Sequence, residues 1–148
     1  MIREMKAEDA FAIREICDKS LGYNISVDLV EQQIQKIAQD NTHHYVLVFE
    51  NEHSNEILGF VHAEIYDTLY AYSGLNILGL VVLPEHERRG IAKTLMTSLE
   101  DRATKKGLAF IRLNSAVKRK GAHSFYETIG YVCDKEQNRF IKTISVSQ

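Results

Sequence analysis

Apolar residues recur at helical spacing near the start of the chain. Between about Ala7 and Ser20 they fall at Ala10, Ile13, Ile16 and Cys17, which stack on one face of a helix. Ser26 can cap a second helix with Asp28 in its first turn, and Val30, Ile34, Ile37 and Ala38 mark its buried face. The pattern then changes to strands. His44 to Phe49 is dense in β-forming residues, Asn51 to Asn55 is polar and turn-like, and Ile57 to Tyr66 alternates. The alternation puts Phe60, His62, Glu64 and Tyr66 on one face and Val61, Ala63 and Ile65 on the other. Leu75 to Leu83 is almost wholly apolar, the pattern of a central strand covered on both faces. After Pro84, Ile91, Leu95, Leu99 and Ala103 predict a helix that stops at Gly107. Leu108 to Leu113 reads as a strand, and Ala122, Phe125 and Ile129 as one face of a short helix ending at Gly130. Tyr131 to Cys133 and Arg139 to Ile144 read as a closing hairpin. With a strand at the N-terminus, the predicted order is β-α-α-β-β-β-α-β-α-β-β, an α/β (α+β) sandwich around one sheet.

Composition narrows the partners. The chain has 148 residues, and no glycine- or serine-rich linker or repeat divides it, so residues 1–148 read as a single domain. Eighteen Lys and Arg stand against 20 Asp and Glu, a net charge of −2. No global positive field exists to hold nucleic acid or an anionic membrane. A hydrophobic share of 45% excludes a disordered chain. Met1 to Lys6 carries charges where a signal peptide would be apolar. The apolar run from Ile77 to Leu83 falls far short of the ~20 residues that span a bilayer. A cytoplasmic protein is expected. Cys17 and Cys133 lack metal or disulfide spacing and read as two small buried thiols; Cys17 falls on the apolar face of its helix and Cys133 lacks an evident base, so neither reads as a nucleophile.

The strongest chemical signal follows the apolar strand. Glu87-Arg88-Arg89-Gly90-Ile91-Ala92-Lys93 is a short charged turn opening into a helix. A helix start leaves about four N–H groups unpaired and carries partial positive charge. Gly90 and Ala92 keep that surface bare, and Arg88 and Arg89 add charge beside it. Such a turn suits a diphosphate. Two other phosphate motifs fail: Ala92 and Glu87 stand where a Walker loop needs glycines, and no G-x-G-x-x-G occurs. A nucleotide-binding domain is therefore a weak alternative.

Val82-Leu83-Pro84-Glu85, followed by that turn, resembles the acetyl-CoA-binding segment of the GNAT superfamily of N-acetyltransferases, whose pattern is V-x-P-E and then [QR]-x-x-G-x-[GA]. Glu87 departs from the usual Gln or Arg. A second stretch, Leu113 to Tyr131, is similar to the family's later segment: an asparagine, Asn114, then a helix with Ala122, Phe125, Tyr126, Glu127, Gly130 and Tyr131 in matching places. The resemblance implies a mixed, mostly antiparallel sheet flanked by helices. It also implies acetyl transfer from acetyl-CoA to a primary amine of a small molecule or peptide, by direct attack in a ternary complex.

Several roles follow from the resemblance. The main chain of Leu80, Val81 and Val82 would line the pantetheine arm of coenzyme A, in a strand that a bulge commonly opens from its neighbour. Arg88, Arg89, Gly90, Ile91, Ala92 and Lys93 would hold the diphosphate, with Asn114, Phe125 and Tyr126 also at the cofactor. Tyr126, which by spacing alone reads as a half-buried ring with a wet hydroxyl, would protonate the leaving thiolate. Lys118-Arg119-Lys120 would meet the 3′-phosphate. An alkylammonium must lose a proton before attack, and Glu64 is the first candidate base, set against an exposed strand carboxylate or a core-edge hydrogen bond. No catalytic metal is expected: His43 and His44 would point to opposite faces of a strand, and His53, His62, His86 and His123 lack ligand spacing. Tyr70 and Tyr72, in the Tyr66–Gly74 loop, would shape an acceptor pocket or pack between subunits. The acceptor would sit among that loop, the first two helices and the closing hairpin. The partners implied are acetyl-CoA and an amine, with no nucleic acid and no membrane, and a homodimer left open. A non-catalytic acyl-CoA-binding module of the same fold is the alternative.

Overall fold

The computed structural model describes residues 1–145. They fall into two compact units, Met1–Asn114 and a second beginning at Ser115. The first unit carries a five-stranded sheet in the order β1-β2-β3-β4-β5. The strands are β1 (Ile2–Glu4), β2 (His44–Glu50), β3 (Ile57–Thr68), β4 (Ala71–Val82) and β5 (Ile111–Leu113). Neighbours from β1 to β4 run antiparallel, and β4 pairs β5 in parallel. Three helices complete the unit: α1 (Ala10–Leu21), α2 (Val27–Ala38) and α3 (Ile91–Lys105).

The apolar spacing holds wherever packing can reward it. Ile91, Leu95, Leu99 and Ala103 are all buried, as are Ile13 and Ile16 of α1 and Val30 and Ile34 of α2, whereas Ile37 is only half-buried and Ala38, the last residue of α2, is exposed rather than buried as expected. Ser26 caps α2 by accepting from the Leu29 N–H at 3.1 Å. On β3, Val61 and Ala63 are fully covered while His62, Glu64 and Tyr66 lie on the other, half-open face. Edge strand β1 is pinned by Arg3, which reaches Asp9 at 2.8 Å and Glu50 at 2.7 Å.

Four expectations are corrected. β3 and β4 run on to meet at Thr68↔Ala71, so the expected Tyr66–Gly74 loop is a tight hairpin with Tyr70 90% exposed at its tip. Backbone pairing, which needs no glycine, extends the ladder there. Second, β4 is not covered along its whole length: Leu78 is 51% exposed, because a bulge turns it out of register. Third, β5 begins at Ile111 rather than Leu108, although Ala109 already donates to the Ser73 carbonyl and Phe110 already accepts from the Leu75 N–H, each at 2.9 Å.

The second unit supplies the fourth correction. It holds one helix, α4 (Lys120–Thr128), and no strand among its described residues. Tyr131–Cys133 and Arg139–Ile144 do not form the expected hairpin. β-Propensity there is real, but a two-stranded hairpin needs a covered apolar face to be stable. Phe140 and Ile144 are 92% and 88% exposed instead.

Candidate active site

The bulge in β4 opens the sheet. His62 is opposite Gly79 but Ala63 is opposite Ile77, so Leu78 is the extra residue. On the far side, pairing with β5 stops at Ile77↔Leu113. From Leu78 to Val82, β4 therefore has no strand on that side among the described residues. Direction follows from alternation. The Leu83 N–H donates to the Leu58 carbonyl at 2.8 Å, so odd residues here bond toward β3 and even ones point away. The main-chain groups of Leu80 and Val82 face the open edge, whereas those of Val81 face β3. The Val82 carbonyl is already taken, accepting from the Ser20 hydroxyl at 2.7 Å.

The chain then passes a short 3-10 turn, Pro84–His86, and reaches α3. Gly90 is the N-cap of α3, with φ +81°, and no side chain caps the helix. A Cβ at Gly90 would touch nothing within 4 Å, so glycine serves here for backbone freedom and an open approach. Arg88 also has positive φ, 65°, uncommon outside glycine and frequent at binding sites. Arg88, Arg89 and Lys93 are exposed, Ile91 is buried and Ala92 is half-buried. Glu87 is extended and exposed. Uncapped amides, flanking cations and a clear approach fit a diphosphate.

A polar row crosses the sheet near the bulge. His44, Glu64, Asn76 and Arg112 are register partners on four successive strands. Glu64 accepts from Asn76 at 2.9 Å and lies 3.4 Å from His43 Nε2. Asn76 in turn accepts from Arg112 at 2.6 Å, and Arg112 donates to Asn114 Oδ1 at 3.0 Å. The Asn76 N–H, ahead of every other cause, holds the Glu64 carboxyl below the usual carboxylate range, so it is ionised at neutral pH. His62 shares a hydrogen bond with His44 at 3.0 Å. Burial, with His44 second, pushes the His62 imidazole down to about 4, which keeps it neutral. His43 precedes β2, so its ring does not point away from that of His44: the centroids lie 4.8 Å apart in an edge contact. No group of three or more His, Cys, Asp or Glu among the described residues is placed to hold a metal ion. Of the two thiols expected to be buried, Cys133 is exposed and Cys17 is half-buried, where burial pushes its thiol up, away from thiolate character.

Separately, a cleft of about 410 Å³ lies between α1 and the start of α2. Phe11, Arg14, Glu15 and Asn24 line it, and Arg14 braces the connection by donating to the Ile25 carbonyl at 2.8 Å.

In the second unit, Phe125 and Tyr126 are both half-buried, with rings 5.3 Å apart in an edge contact. Burial raises the Tyr126 phenol above its ordinary value, and Arg119 opposes that. The Tyr126 proton is thus held through the neutral range. Lys118 and Arg119 are exposed in the turn that enters α4, and Lys120, its first residue, is exposed as well.

Among the expected residues, Leu80, Val82, Arg88, Gly90 and Ala92 lie on one continuous stretch from the open edge to the start of α3. Glu64 lies on the polar row that includes Arg112, the residue bonded to Asn114. Ser20, His43, Asn76 and Arg112 were not anticipated. Asn76, a lone amide within an apolar strand, was the legible signal; the other three carry none, since their partners lie on distant segments.

A model of the acetyltransferase (GNAT) family matches residues 10–131, and that match runs through both units. No curated protein matches the chain. Among solved structures, the aminoglycoside antibiotic 6′-N-acetyltransferase AAC(6′)-Ih from Acinetobacter baumannii is 17% identical, with 98% of this chain and 99% of that one covered and a TM-score of 0.82. Glucosamine-6-phosphate N-acetyltransferase from Arabidopsis thaliana is 19% identical, with 98% of each chain covered and a TM-score of 0.76. AAC(6′)-Iy, solved with the bisubstrate analogue CoA-S-monomethyl-acetylneamine, is 20% identical, with 99% of this chain and 98% of that one covered and a TM-score of 0.77. At these identities the likeness is one of fold.

Proposed function

The chain belongs to the acetyltransferase (GNAT) family, and within it we propose an N-acetyltransferase that moves an acetyl group from acetyl-CoA to a primary amine. The observation that carries this reading is the open edge of β4, which leads within ten residues of chain to an uncapped helix start. The edge offers main-chain donors and acceptors to an extended amide-bearing arm, and the helix start offers amides to a diphosphate. Acetyl-CoA, when bound, supplies an activated thioester. Leu80 and Val82 hold the arm as an added strand would be held, and an N–H at this edge polarises the thioester carbonyl. Gly90, Ile91, Ala92 and Lys93 receive the diphosphate, aided by Arg88 and Arg89. Asn114 and Phe125 complete the cofactor contacts.

Glu64 accepts the proton of the incoming ammonium, directly or through water. Its low affinity for protons makes it a modest base but a constant anion, suited to holding that ammonium in line. Tyr126 donates a proton to the departing thiolate. The acceptor enters by the cleft between α1 and α2, and neighbours that acetylate aminoglycosides and glucosamine-6-phosphate make polar amino compounds the first to try. Residues 1–148 act as one N-acetyltransferase domain.

Calorimetry with coenzyme A and acetyl-CoA, followed by an amine panel of aminoglycosides, amino sugars, polyamines and peptides, tests the reading. Binding with turnover of at least one amine supports it. Binding with no turnover of any amine or of the thioester favours the non-catalytic alternative, and absence of binding removes both. Tyr126→Phe should lower kcat about tenfold or more while coenzyme A affinity stays nearly constant; a collapse of affinity would make the hydroxyl a ligand contact.

A further inference from the structure

We propose that Arg112 is a positioning residue for Glu64: by fixing which way the Asn76 amide faces, it keeps the Glu64 carboxylate held as a hydrogen-bond acceptor. This rests on the reading of Glu64 as the group that meets the ammonium. The logic is one of donor and acceptor inventory. A guanidinium only donates, so the Asn76 atom 2.6 Å from Arg112 must be the amide oxygen. The amide nitrogen then faces Glu64 at 2.9 Å, and an N–H can bond there only to an accepting oxygen. Without Arg112 the amide is free to turn its oxygen toward the carboxylate, which would repel the ionised form and favour the protonated one.

Arg112 is itself held in place. Its guanidinium lies 4.8 Å from the centre of the Tyr66 ring, a cation–π contact. Tyr66 packs edge-on against Phe110, and Phe110 lies over Gly74, where a Cβ would fall 2.5 Å from its ring. Gly74 is also the register partner of Tyr66. The missing side chain at position 74 thus makes room for the stack that supports Arg112. The other polar groups around Glu64 are His43 from the turn before β2, His44 from β2 and His62 on β3. None of them touches the Asn76 amide oxygen.

The test is a ¹³C NMR titration of the Glu64 carboxyl in the folded protein, which needs neither acetyl-CoA nor an acceptor. Its result therefore stands whether or not the chain acetylates amines. Arg112→Met should raise the midpoint by about one unit, and Arg112→Lys, which keeps a donor, should restore most of the difference. In an Asn76→Leu background the same Arg112→Met change should have only a small residual effect, because its route to Glu64 is gone. If Arg112→Met does not fold, Arg112→Gln serves in both backgrounds, since its own amide can donate or accept and dictates nothing. Equal shifts in the two backgrounds would mean that Arg112 acts as a distant charge, and no shift in either would mean that it does not act on Glu64. Each of those outcomes overturns the proposal.

Discussion

The two units differ in what they bury. Every fully buried apolar residue described lies between Ala10 and Ala103, whereas α4 has no fully buried residue and Val132, Phe140, Ile141 and Ile144 stand exposed. Apolar residues therefore do different work in the two units. In the first unit, helical and strand periodicities meet across a sheet and remove each other's surface from water. In the second, the same residue types find no such cover among the described residues. Periodicity states what a segment could bury, and only a partner surface realises it.

Mutations can break or sharpen this contrast. Leu95→Ala, at a fully buried position of α3, should cost about 2–5 kcal/mol in urea unfolding. Ile129→Ala, just past α4, should cost about 1 kcal/mol; equal losses would erase the contrast. Arg3→Met should come next, at about 2 kcal/mol or more, because it strands the buried Asp9 carboxylate. Burial works to raise the Asp9 pKa, but Arg3 and the Lys6 N–H outweigh it and hold the group below its ordinary value. Its contribution is thus present above the ordinary carboxylate range and lost as pH falls through the folded value. The difference between wild type and Arg3→Met should shrink below about pH 4, measured by unfolding at several pH values. Gly90→Ala should be as mild for stability as Ile129→Ala, at about 1 kcal/mol for a left-handed backbone. Its coenzyme A affinity, measured by calorimetry, should nevertheless fall, whereas Gly22→Ala, at another left-handed glycine, should leave affinity unchanged.

Legibility followed the same division. The helices over Ile91–Lys105 and Val27–Ala38 were readable because their apolar spacing is regular and their ends are marked by Gly107 and Ser26. The β3 alternation that placed Glu64 and His62 on one face was readable for the same reason. The bare, charged turn at Arg88–Ala92 was legible because a glycine, its flanking cations and an uncapped helix start need only local chain. The tight hairpin at Leu69–Tyr70 was not legible, since no glycine or proline announces it. Nor was the Arg112–Asn76–Glu64 chain, whose members are far apart in sequence and meet only through strand register.

The sequence by itself determined the helices, the order of elements up to α4 and the bare, charged turn at Gly90, because each depends on residues close along the chain. The tertiary structure alone decided that Leu78 bulges, that the edge beyond the bulge has no strand pairing while Ser20 takes the Val82 carbonyl, and that Val132 to Ile144 forms no strand. It also decided that Glu64 is held by an amide whose orientation Arg112 sets. These outcomes depend on which strands come to lie side by side, and hydrogen bonds between distant segments exist only once that pairing is made.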